Sequence, residues 1–175
     1  GRVGLRIMPR PDERHWALTP MIAALGVALA CAGLDRAFRP ALDPAYLNAM
    51  VRQPWQARTA VYMAHAFNEE VMYRLFLGSL LANVLILFSK ARRDISDGAL
   101  LWAAFVLAQG VNVAINLWSV SPAPVSVLPY QMLRYFAPGM VWAGLYIRRG
   151  FMAAETGHLT THLIFQPLVG VLLSH

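Results

Sequence analysis

From Ala17 to Leu34 the chain carries no charged side chain. A helix over that stretch rises about 27 Å, close to the ~30 Å hydrocarbon thickness of a bilayer. In lipid every backbone polar group must be satisfied inside the segment, so the run predicts a spanning α-helix. Trp16 stands at its entrance as an interface residue, and Pro20 falls in the first turn, where a missing N–H is tolerated. The rest of the chain keeps the same bias: 58% of residues are hydrophobic, only 14% are charged, and mean hydropathy is +0.48. Ordinary globular domains are less apolar and more charged than this. The expected protein is integral to a membrane, all-α, a polytopic bundle of about five to six spans. Residues 1–16 form a basic segment ahead of it, and 17–175 a single membrane-embedded domain.

The later spans follow from the same pattern. Asp35 to Arg58 reads as a polar connection punctuated by Pro40, Pro44 and Pro54, with room for a short interfacial helix. Thr59 to Phe88 is apolar apart from Glu69, Glu70 and Arg74, and is expected to form one long or kinked element. Lys90, Arg92 and Arg93 end it, Asp97 is placed to cap the next helix, and Gly98 to Val120 forms the third span. The stretch SPAPVSVLP reads as a loop. Tyr130 to Ile147, bent at Pro138-Gly139, gives a fourth span closed by Arg148 and Arg149, and Gly150 to Leu173 a fifth. Alternating these spans puts nine Arg and Lys on the side of the N-terminus and four on the other. The positive-inside rule makes the richer side cytoplasmic, as in a bacterial-type inner membrane.

Several classes are disfavoured. The formal charge of +6 comes from arginines scattered through short inter-helix segments, without the interleaved exposed aromatics of a nucleic-acid surface, so no nucleic-acid partner is expected. Cys31 is the only cysteine, lies in an apolar run, and reads as a packed thiol. The first fifteen residues with their arginines lack the form of a cleavable signal peptide.

Ionisable side chains inside a bilayer cost kilocalories each, so they are expected to face the bundle interior and find partners. Counting along the spans puts Glu69 about 16 Å deep, and Gln109, His158 and His162 fall near the same midplane level. Shared depth predicts one polar cavity. Glu70 and Arg74 stand at i and i+4 with the acid first, the favoured order for an ion pair, which leaves Glu69 as the carboxylate suited to act as a base. His65 lies one turn before Glu69, Glu155 one turn before His158, and His158 one turn before His162. Asn112 and Asn116, also one turn apart, read as helix-packing hydrogen bonds, and Arg134 as a snorkelling or interfacial arginine, with the lining of a substrate groove as the other reading.

Three blocks resemble the CPBP family, membrane proteins that include CAAX prenyl endopeptidases and bacteriocin-processing enzymes. EEVMYR, Glu69 to Arg74, matches the family's EExxxR at every defining position. FVLAQ, Phe105 to Gln109, aligns with FxxxH but has glutamine at the histidine position. RRGFMAAETGHLTTH, Arg148 to His162, resembles the last block, ending in HxxxH where the family has HxxxN or HxxxD. The likeness covers about residues 58–170. It implies a glutamate-dependent intramembrane endopeptidase in which Glu69 is the base, Glu70 with Arg74 its support, and His158 an oxyanion stabiliser, with Gln109 and His162 completing the site. No cofactor is implied, and the implied partners are membrane lipids and a peptide or membrane-protein substrate.

Two other readings stay open. An amide at position 109 cannot take up and return a proton as imidazole does, so the chain also fits a catalytically degenerate relative serving as scaffold or subunit of a membrane complex, unless His65 supplies the imidazole. His65, Glu69, Glu155, His158 and His162 together also offer donors for a metal ion.

Overall fold

The computed structural model describes residues 4–10, 13, 15–89, 96–118 and 128–174. The expected roles of Arg2, Arg14, Lys90, Arg92 and Arg93 and the tip of the SPAPVSVLP loop fall outside these residues. Every regular element among them is helical.

The first helix, α1 (Leu18–Ala37), runs three residues past the expected end and so carries Asp35 inside it. Its buried face repeats a small residue or proline every fourth position, Pro20, Ala24, Ala28 and Ala32. That stripe lets backbones approach closely where lipid supplies no hydrophobic drive for helix association. Met21, Ile22, Leu25 and Leu29 remain on the outward side. The proline-punctuated connection folds as the short helix α2 (Pro44–Arg52), with the Asp43 carboxylate accepting from the Ala45 amide at 2.6 Å as its N-cap.

The long apolar segment is one unbroken helix, Trp55–Ser89, 35 residues in length. It begins as α3 (Trp55–Glu69), passes through a π-helical stretch, π1 (Glu70–Gly78), and ends as α4 (Ser79–Ser89), with no break at Gly78-Ser79. Ala66, Glu70, Arg74, Gly78, Ala82 and Ile86 are all buried, a strict four-residue stripe. In an α-helix every fourth residue overshoots a full turn by about 40°, so such a stripe winds off its face. Turns closed by i→i+5 bonds hold more residues and wind it back.

Helix α5 (Asp97–Trp118) starts one residue earlier than expected, and its cap is Ser96, whose hydroxyl accepts from the Ala99 amide at 3.3 Å; Asp97 instead lies in the first turn. Leu128 and Pro129, expected in the loop, open α6 (Leu128–Gln131). A second π-helical stretch, π2 (Met132–Phe136), leads into α7 (Ala137–Arg149) just ahead of Pro138. A proline ring displaces the carbonyl four residues back. That carbonyl, Arg134 O, faces the Cys31 thiol at 3.9 Å.

Gly150 breaks the chain with φ of +98°, and α8 (Phe151–Ser174) follows. Here the N-terminal segment crosses the bundle end: the Phe151 and Met152 amides donate to Arg6 O and Ile7 O, both at 2.9 Å, satisfying two N–H groups that a helix start leaves orphaned. A Cβ on residue 150 would stand 3.0 Å from Arg6 O, so glycine is needed for the approach as well as the dihedral.

Helix α8 is the hub, packed by α1, α2, α3, π1 and α7. Three of the described helices are long and apolar enough to cross a membrane: α1, Trp55–Ser89 and Asp97–Leu117. Helix α8 is 24 residues long but is not among them, since it bears Glu155, His158, His162 and Gln166. A helix surrounded by protein does not need an apolar surface all round.

Candidate functional site

Glu69, Arg74, Gln109, His158 and His162, which come from α3, π1, α5 and α8, line a single cavity of about 110 Å³. That is room for a small cluster of waters. Glu70 is not on its lining; it lies in the wall, with no accessible surface. His65 is exposed and does not reach the cavity, so the structure gives it no part in replacing the missing imidazole. Its ring lies 6.3 Å from that of Tyr62 on the flank of α3.

Glu70 organises the wall. Its Oε1 lies 3.1 Å from Arg74 Nη1, the ion pair expected from spacing, and 2.9 Å from His158 Nδ1, a contact that spacing could not supply across 88 residues. A carboxylate can only accept, so Nδ1 carries the proton and Nε2 of a neutral His158 is left as an acceptor. Trp142 stacks on the same ring at 5.7 Å and 17°, and His162 follows at 5.3 Å, itself stacked on Tyr62 at 5.6 Å. Four rings from α3, α7 and α8 thus form a column beside the cavity. His162 Nδ1 is buried and has no hydrogen-bond partner among the described residues.

Gln109 is a strut. Its Oε1 accepts from Arg74 Nη2 at 2.9 Å and its Nε2 donates to Tyr135 O at 3.2 Å, joining π1 to π2. Arg74 Nη2 also reaches Gly139 O at 3.4 Å. The amide fits because residue 139 has no side chain: a Cβ there would fall on the Gln109 amide itself. Gly139→Ala is therefore expected to expel Gln109 from between Arg74 and Tyr135 and to cost about 1–3 kcal/mol, as overpacking does. Thermal unfolding in detergent, with Gly33→Ala as reference, checks it. A Cβ at residue 33 meets nothing within 4 Å, so that variant should match or slightly exceed the parent.

Glu69 is half-buried at the cavity edge, with Asn112 Nδ2 donating to its Oε2 at 3.4 Å. Asn116 in turn donates to Asn112 Oδ1 at 2.8 Å. The asparagines thus support a carboxylate as well as packing α5 onto π1. Glu155 is buried, off the lining, and neither of its carboxyl oxygens has a hydrogen-bond partner among the described residues. No group of three or more His, Cys, Asp or Glu side chains among the described residues is arranged to hold a metal ion.

A second polar cluster closes the other side of the cavity, and its pairing of Arg134 with Asp35 was not legible from spacing. Arg134 turns inward instead of snorkelling outward, and it lines the cavity. Its Nε donates to Asp35 Oδ1 at 2.9 Å, and its guanidinium lies 4.5 Å over the Phe165 ring. Asp35 is fully buried and also accepts from the phenols of Tyr130, at 2.8 Å, and Tyr46. Burial pushes the Tyr46 phenol well above its usual range, so it remains a donor. Arg58, assigned from sequence to a polar connection, is buried as well. It donates to Met50 O and Gln53 O at the end of α2, and to Gln166 on α8. A cation at a helix C-terminus satisfies carbonyls the helix cannot.

A chain whose described elements are all helical, three of them fit to span a bilayer, with charged and histidine side chains gathered in its interior, has the character of an integral membrane protein. Compared with protein-family models, with curated proteins and with solved structures, the chain matches none.

Proposed function

We propose that this chain is a glutamate-dependent intramembrane endopeptidase of the CPBP type, hydrolysing a peptide bond of a membrane-associated substrate. The observation that carries the reading is the shared cavity: residues picked from three separate sequence blocks line it together. In this reading the chain crosses a bacterial-type inner membrane five times, α7 and α8 supplying the last two spans, with its N-terminus cytoplasmic. Glu69 takes a proton from water, the hydroxide adds to the scissile carbonyl carbon, and the proton passes to the departing amine as the C–N bond breaks. His158, fixed as an Nε2 acceptor by Glu70, orients the water rather than donating to the oxyanion as the family resemblance implies. His162, whose Nδ1 is unengaged, is the donor to the developing charge.

The test is cleavage of fluorogenic reporters, prenylated and unprenylated, by the full chain in proteoliposomes. Glu69→Gln should lower the rate by about two to four orders of magnitude, as loss of a positioned base does, with the unfolding temperature little changed. Undiminished cleavage by that variant would sink the mechanism.

A second reading, a catalytically degenerate homologue acting as scaffold or complex subunit, draws on Gln109. Its carbonyl oxygen is engaged by Arg74 and its amide by Tyr135 O. Co-purification with a defined membrane complex, retained in full by Glu69→Gln, would favour it over proteolysis.

A further inference from the structure

Away from the midplane cavity, a groove of about 580 Å³ opens at the end of the bundle that holds the N-terminal segment. Helices α1 and α5 flank α7 there without packing closely on each other, so one side of α7 is left as the floor. The groove runs along α7 from Arg149 and Arg148 at its mouth to Met140. Those ten residues of helix span about 14 Å, close to the hydrocarbon depth of a single leaflet. The deeper walls are apolar, and Trp102 forms one of them, its ring 3.2 Å from where a Cβ on Gly144 would sit.

The mouth is cationic. Among the described residues the guanidinium groups of Arg148 and Arg149 make no hydrogen bond or ion pair, while Glu13, the one acid on the lining, is already engaged by Arg6 at 2.7 Å. An amphiphile with a negative head and an apolar tail about one leaflet long matches both ends. A water-soluble anion would leave the apolar length unfilled, and a zwitterionic lipid would bring no net charge to the arginines.

We propose that this groove is a binding site for one anionic glycerophospholipid, its phosphate held by Arg148 and Arg149 and an acyl chain lying along α7 between α1 and α5. The proposal does not depend on the chemistry of the midplane cavity.

The test uses the full chain in nanodiscs of phosphatidylcholine, titrated with brominated phosphatidylglycerol, with tryptophan quenching as the signal. The part of the quenching lost in Trp102→Phe reports the groove. Phosphatidylglycerol should be preferred over brominated phosphatidylcholine at that site, and the double variant Arg148→Gln/Arg149→Gln should reduce the preference about thirtyfold, each arginine near an anionic surface contributing about fivefold. Arg36→Gln/Arg39→Gln removes equal charge from the opposite end and should keep the preference. Gly144→Leu, which fills the groove with both arginines present, should lose it. The proposal is overturned if both lipids quench the Trp102 component equally, if the Arg148/Arg149 variant keeps the preference, or if inorganic phosphate at matched ionic strength displaces the lipid.

Discussion

Glu70→Ala is expected to destabilise the protein by about 3–5 kcal/mol, the cost of removing one partner from a buried charge pair, while Glu69→Ala leaves stability within about 1 kcal/mol. The adjacent glutamates differ because one is fully enclosed and the other lies at the cavity edge. Without the Glu70 carboxylate, Arg74 keeps, among the described residues, only the neutral acceptors Gln109 Oε1 and Gly139 O, and His158 Nδ1 loses its partner. Three elements, π1, α5 and α8, then share one uncompensated charge. Chemical unfolding in detergent, followed by circular dichroism, measures the difference between the variants. Equal losses for the two would show that the wall does not rest on Glu70.

Asp35→Ala should be comparably damaging, at about 3 kcal/mol, although Asp35 belongs to no expected site. The substitution strands the Arg134 guanidinium in the interior and removes the acceptor of two phenols, from α2 and α6. Because π2 carries Arg134, and Tyr135 O beside it anchors Gln109, the damage should reach the cavity. Asp35→Ala/Arg134→Met removes both charges and should recover much of the loss, as buried pairs replaced together often do. Unfolding temperatures of the single and double variants, measured side by side, decide this. A double variant no more stable than Asp35→Ala would mean the ion pair is not the source of the loss.

The sequence was most legible where local spacing carries the information. The bilayer-length apolar run of α1, the unbroken helix through Glu69 and Glu70, and the Glu70–Arg74 pair all rest on periodicity within a few turns. Shared depth also pointed to a meeting of Glu69, Gln109, His158 and His162, because a count of residues along each helix fixes height in a membrane. Depth says nothing of azimuth. It could not separate His65, which faces outward, from Ala66 on the buried stripe, nor show that Glu70 rather than Glu69 meets His158. Arg134 and Asp35 escaped for a related reason: each stands near the end of an apolar run, where a charge can equally well face water, and their pairing spans 99 residues. The two π stretches left no signal in composition, since they are a matter of backbone hydrogen-bond register.

That register has a consequence for how this chain can change. Along Trp55–Ser89 the inward side chains recur at a fixed interval of four because the wide turns of π1 absorb residues that an α-helix would distribute round its circumference. The arrangement therefore depends on arithmetic as much as on chemistry. Between Ala66 and Ile86 an outward residue such as Met72 or Phe76 can be exchanged for another apolar one at small cost. Adding or removing one residue between Glu70 and Ala82 swings the two glutamates by roughly a quarter of a turn relative to Ala82 and Ile86. In this helix, length is the inherited trait, and the carboxylates keep their bearings only as long as the count is kept.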